Sequence, residues 1–162
     1  MFWGSFSKTE KGPCVVWEKL WGSMTSESYF ERILPLIRHE MDLKPHLILM
    51  QDNAPCHKAA RTMREFDRLR INYMIWPALS PDLSPIESLW NTMEDHIAMR
   101  CREEGRDPSG QGRRRPISFQ RLSEITQEAW ERFTHFEMLN LIQSMPRRYQ
   151  AVIDADGGHI PY

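Results

Sequence analysis

His46-Leu-Ile-Leu-Met-Gln-Asp-Asn-Ala-Pro-Cys-His57 opens with an apolar run long enough for a buried strand and too short for a helix. Asp52-Asn53-Ala54-Pro55 ends that run with turn-forming residues. An acid just past a buried strand, followed by a loop and a helix, lies at the carboxyl edge of a sheet. Open α/β folds place their ligands at that edge. The competing reading is structural: Asp52 opens an Asx-type turn or caps the next helix.

A second stretch, Trp76-Pro-Ala-Leu-Ser-Pro-Asp-Leu-Ser-Pro-Ile-Glu-Ser-Leu-Trp90, carries another acid, Glu87. Ser84, Pro85 and Glu87 fit a capping box with proline at the first helical position. Ile86, Leu89, Trp90, Met93 and Ile97 follow at helical spacing and predict a buried stripe. Glu87 lies beside that stripe. It reads as a cap, or as a carboxylate presented where a helix start packs on a sheet edge.

The two stretches together resemble the catalytic core of mariner-type transposases, within the DDE superfamily of endonucleases and integrases. The resemblance rests on Asp52-Asn-Ala-Pro-x-His57 and Ser80-Pro-Asp-Leu-x-Pro-Ile-Glu-x-x-Trp90, with 34 residues between Asp52 and Glu87. Trp3-Gly-Ser-Phe-Ser7, Ser144-Met-Pro-Arg-Arg148 and Asp154-Ala-Asp-Gly-Gly-His159 extend it over nearly the whole chain. It implies an α/β fold: an RNase H-like mixed sheet flanked by helices. It also implies metal-dependent DNA cleavage and strand transfer, with Mg²⁺ or Mn²⁺ held by Asp52 and Glu87. Two such ions about 4 Å apart activate the nucleophile and bind the leaving oxygen. The implied partner is transposon-end DNA, with intact transposase or a second copy of the chain as further partners. Asn53 and His57 match the motif and read as residues that hold the loop.

The resemblance also implies a first acid on a strand upstream of the Trp3-Gly4 strand. None of Glu10, Glu18, Glu27, Glu31, Glu40 and Asp42 sits in that motif; Glu18, at a strand end, is the nearest stand-in. Residues 1–162 therefore read as a single incomplete catalytic domain, truncated at its N-terminus and inactive by itself. The alternative is a non-catalytic nucleic-acid or protein-interaction module of the same descent.

Bulk properties agree with one soluble domain. At 162 residues, the chain is long enough to bury about 70% of its unfolded surface. It is 41% apolar and 27% charged, with a net charge of −1, which is not the balance of a free-standing DNA-binding domain. No run is long enough for a membrane span, and Met1-Phe-Trp-Gly-Ser5 lacks the regions of a signal peptide. A nuclear or otherwise intracellular location follows as the expectation. Cys14, Cys56 and Cys101 predict neither a disulfide framework nor a zinc site.

Outward from the two motifs, residues 2–18 predict a β-hairpin. A helix should start at Thr25 or Ser26, with Phe30, Ile33, Leu34, Ile37 and Met41 inward and a break at Pro35. A single helix is expected over residues 56–69, with Ala59, Ala60, Met63 and Phe66 inward. Its other face, including Lys58 and Arg61, is either a solvated face or a phosphate-contacting one. Ile71 to Trp76 predicts a strand parallel to the one before Asp52. Arg100 to Arg121 holds seven arginines against three acids. Within it, Arg113, Arg114 and Arg115 read as a DNA-backbone clamp or as an insertion without a role. The remainder predicts helices with two buried stripes: Leu122, Ile125, Ala129 and Phe133, then Phe136, Leu139 and Ile142.

Overall fold

A computed structural model describes residues 1–107 and 115–161. The chain divides into two compact units, Met1–Val16 with Asp82–Tyr162, and Trp17–Pro81.

The first unit begins with the hairpin. Strand β1 (Phe2–Phe6) pairs antiparallel with β2 (Lys11–Val16), and Ser7 N–H closes the turn on Glu10 O at 2.9 Å. Lys11 and Gly12 belong to β2. Helices α5 (Pro85–Glu103) and α6 (Phe119–Glu131) pack on the hairpin through Leu89, Met93, Ala129, Trp130 and Phe133. Ile86, Trp90 and Ile97 join that cluster, so the stripe expected of α5 is the observed one. Trp130 stacks on Trp90, with centroids 5.9 Å apart, and reaches β1 at Gly4. A Cβ on Gly4 would stand 3.2 Å from the Trp130 ring, so glycine permits this approach. Lys11 Nζ donates to Glu131 O at 2.8 Å and pairs with the Glu131 carboxylate at 3.0 Å, placing a cation on the α6 C-terminus.

Thr134 and Glu137 form a reciprocal capping box that starts α7 (His135–Gln143). That start sets the phase of the helix. Met138 is buried and Leu141 packs on the core, whereas Phe136, expected inward, is 68% exposed. Ser144 closes α7, and Pro146 sits in the first turn of α8 (Met145–Asp154), where its missing N–H costs nothing. Two residues on each side of positions 108–114 pair in parallel, β3 (Arg106–Asp107) with β4 (Arg115–Pro116).

In the second unit, Thr25 caps α1 (Ser26–Arg32) through a box with Ser28. Pro35 separates α1 from α2 (Leu34–Leu43), as the sequence predicts. The buried residues of this pair are Tyr29, Ile33, Leu34 and Ile37. Tyr29, one residue from the predicted Phe30, lies on the i, i+4 line through Ile33 and Ile37.

The two strands expected before Asp52 and before Pro77 contract to one parallel bridge, Leu49 with Tyr73. Leu49 N–H donates to Asn72 O and Met74 N–H to Leu49 O, both at 2.8 Å. The direction is the expected one. The burial is not: Ile48 is exposed and Ile75 is 85% exposed. A single bridge leaves the flanking backbone outside any ladder, so these apolar side chains have no continuous sheet face to share.

The expected single helix over residues 56–69 is two: α3 (Pro55–Lys58) and α4 (Ala60–Arg68). Ala59, with ψ 137°, is extended and resets the helical phase. Thr62 and Phe66 are therefore buried, while Ala60 is exposed. Thr62 Oγ1 donates to Cys56 O at 2.7 Å and ties the two pieces together. No helix among the described residues is long and apolar enough to cross a membrane.

Candidate metal-binding site

Asp52 follows the extended segment that carries the Leu49 bridge. Its Oδ1 accepts two hydrogen bonds: from Ala54 N–H at 3.1 Å and from His57 Nδ1 at 2.6 Å. The first is the Asx-type turn that the sequence offered as the structural reading. A carboxylate only accepts, so His57 Nδ1 carries the proton. Among the described residues no donor reaches Oδ2, and the Asp52 side chain is 61% exposed. The turn and an open oxygen coexist on one carboxylate.

The loop around Asp52 is tied on both sides. Asn53 Nδ2 donates to Trp76 O at 3.0 Å and Pro77 O at 2.9 Å, joining the loop to the second extended segment. Tyr29 OH donates to Gln51 Oε1 at 2.8 Å. The Tyr29 ring meets the His57 ring edge-on, with centroids 5.0 Å apart. Burial pushes the Tyr29 phenol far above its ordinary range, so it stays a donor. Burial also pushes the neighbouring Cys56 thiol up, with a smaller contribution from the Asp52 charge. A protonated thiol is neither a nucleophile nor a soft metal ligand. What remains at this loop is a hard oxygen donor.

Glu87 occupies the first turn of α5, in the first unit. The capping box expected of Ser84 and Glu87 is absent, because the Ser84 side chain makes no capping hydrogen bond. The residues whose side chains do cap helices here, Thr25, Ser118 and Thr134, have ψ of 168°, 151° and 156°. Ser84 has a smaller ψ, 114°.

The start of α5 is held instead by Arg148, which is 2% exposed. Its guanidinium donates to Asp82 O at 2.7 Å, Ser88 Oγ at 3.1 Å and Ser144 Oγ at 2.9 Å. Asp82 Oδ2 in turn accepts from Ile160 N–H at 3.0 Å. Sequence reasoning missed Arg148 and Asp82 as supports, although both stand inside the quoted motifs.

The basic candidates differ from one another. Arg61 pairs with Glu27 at 3.0 Å and lies over the Phe30 ring at 4.5 Å. Lys58, at the end of α3, and Arg115, in β4, are exposed. Arg113 and Arg114 lie outside the described residues.

Asp52 suits a hard cation such as Mg²⁺, which is bound through one or two carboxylates and keeps several waters. Among the described residues, no group of three or more His, Cys, Asp or Glu is placed to hold a metal ion. The donor chemistry of Asp52 fits a single divalent ion. A complete three-acid set is not assembled by these residues.

The chain has the RNase H-like fold of a transposase catalytic domain. It superimposes on the catalytic domain of Mos1 mariner transposase with a TM-score of 0.76, covering 99% of this chain and 75% of that one at 17% identity. The Mos1 catalytic domain determined with raltegravir and Mn gives 0.77, covering 99% and 76%, also at 17% identity. Residues 4–107 match the family described as DDE superfamily endonuclease, and the chain belongs to that family. It is 31% identical over 159 residues to the transposable element Tcb1 transposase of Caenorhabditis briggsae. It is 30% identical over 157 residues to the Tc1 transposase of Caenorhabditis elegans. Each alignment covers 97% of this chain and 52% of the relative, so the chain spans about half the length of these relatives.

Proposed function

We propose that this chain supplies Asp52 and Glu87 as two ligands of a divalent-metal site for cutting and joining DNA, and that its two units act as one catalytic domain. The observation that carries the reading is the state of Asp52: one oxygen doubly hydrogen-bonded within the loop, the other open. A bound Mg²⁺ or Mn²⁺ would polarise the phosphodiester and activate the attacking oxygen. The protein's own part is to fix the first oxygen of Asp52 and to hold the α5 start that carries Glu87. Mos1 structures with Mn and with Mg support the choice of metal. A Mos1 paired-end complex with a transposon end supports DNA as the partner; a nuclear working location is part of the proposal. Intact transposase and a second copy of this chain are the further partners proposed.

Contacts to the DNA backbone fall to Lys58, Arg113, Arg114 and Arg115. Arg61 contributes after releasing Glu27. Such contacts are sequence-blind and weaken with salt.

The second reading is a module that binds DNA or protein without cutting, and the lack of a three-ligand cluster among the described residues favours it for this chain alone. The test is incubation of the purified protein with labelled transposon-end DNA and Mn²⁺, beside Asp52→Ala. The expected result is Mn²⁺ uptake that Asp52→Ala loses, with salt-sensitive DNA binding and no cleavage. Cleavage that Asp52→Ala abolishes would overturn the inactivity of this chain. Equal Mn²⁺ uptake by both proteins would overturn the metal assignment.

A further inference from the structure

We propose that His57 is a positioning residue for Asp52, holding one carboxylate oxygen so that the other faces a metal ion. This rests on the assignment of Asp52 as a metal ligand and deepens it.

An exposed aspartate ordinarily rotates about its side-chain torsions, and both oxygens exchange between water and any cation. Asp52 is restrained, because Ala54 N–H and His57 Nδ1 converge on Oδ1. The backbone donor fixes only the turn. The histidine adds a short, directional bond, at 2.6 Å, from a ring that is itself immobile. The His57 side chain is only 13% exposed, its ring packs against Tyr29, and Tyr29 is fully buried and bonded to Gln51. The order of support runs from the α1 core to Tyr29, to His57, to Asp52 Oδ1.

The other ring nitrogen gives independent support. His57 Nε2 is buried and has no hydrogen-bond partner among the described residues. A proton there would be an unsatisfied buried donor, which is costly. A ring with its proton on Nδ1 satisfies Asp52 and avoids that cost. His57 is thereby a fixed donor to the carboxylate; its Nδ1 has no lone pair for a metal, and the lone pair on Nε2 is buried. Hydrogen bonds to ligating groups orient the ligand, and their loss typically lowers metal affinity by about 10- to 100-fold.

Two substitutions separate positioning from packing. His57→Phe keeps a ring against Tyr29 and removes the donor. His57→Asn loses the ring and places an amide N–H where Nδ1 stood. Mn²⁺ binding to the full chain is read from the electron paramagnetic resonance signal of the free ion, with a thermal melt of each metal-free protein. His57→Phe should bind Mn²⁺ about tenfold more weakly with its melting midpoint retained. His57→Asn should recover most of that affinity. Nitrogen-15 spectra of the wild-type ring, which need no variant, should show the proton on Nδ1. Unchanged Mn²⁺ binding in His57→Phe, with binding lost in Asp52→Ala, overturns the positioning role alone. Unchanged binding in Asp52→Ala overturns the metal assignment beneath it. A wild-type ring protonated only on Nε2 also overturns the proposal.

Discussion

Asp52 is held by its own sequence neighbours: the donors to its Oδ1 come from residues two and five positions later. The start of α5, which carries Glu87, is held from the far end of the chain. Arg148 reaches Asp82 and Ser88 across 66 and 60 residues, and Ile160 reaches Asp82 across 78. The first carboxylate takes its donors from its own loop and α3, with Tyr29 of α1 behind the His57 ring. The second depends on the completed first unit, because Arg148, a buried cation of α8, reaches it across 60 and 66 residues. The loop of the second unit thus takes its donors locally, and the α5 start of the first unit takes them from far along the chain.

Arg148→Met should separate the two regions most strongly. It removes three donors and leaves Asp82 O and Ser88 Oγ without their partner. Hydrogen bonds to a charged group and unsatisfied buried acceptors put the cost at about 3 kcal/mol, read as a lower urea midpoint. The nitrogen signals of the His57 ring should not move. A neutral Arg148→Met would show that the start of α5 is held by something else.

Tyr29→Phe tests the local side. It removes the hydroxyl that donates to Gln51 and keeps the ring on His57. The expected loss is about 1–2 kcal/mol in thermal melts, with Gln51 Oε1 left without this donor. Wild-type Mn²⁺ affinity should be retained, because the ring that supports His57 is still present. A large fall in affinity would mean that the hydroxyl, and not the ring, sets the loop.

The smallest effect concerns a local cap inside the first unit. The Thr134 backbone N–H, and then its hydroxyl, hold the Glu137 carboxyl below the usual glutamate range. A depressed carboxyl contributes stability above its unfolded pKa, and that contribution fades as pH falls through the lowered value. Glu137 is exposed, so screening limits the effect to roughly 0.5 kcal/mol. Wild type should melt slightly above Glu137→Gln at neutral pH, and the difference should vanish in acid. A difference that persists in acid would assign the cap to packing and not to charge.

The sequence by itself determined what short periodic patterns encode. The hairpin, the Thr25 start, the break at Pro35 and the inward stripe of α5 were legible, because each depends on residues close to one another in the chain. Asp52 and its turn were legible for the same reason. Tertiary structure decided the rest. Ala59 broke a helix whose pattern looked continuous, and the phase set at Thr134 exposed Phe136. Ser84, which looks like a cap, makes no capping hydrogen bond. Tyr29, one position from the expected face, became the support beneath His57. Arg148, read only as part of a terminal motif, became the anchor of the α5 start. The last two outcomes depend on partners 22 to 66 residues away in the chain. No local pattern records such partners, because burial and hydrogen-bond satisfaction are properties of the packed molecule.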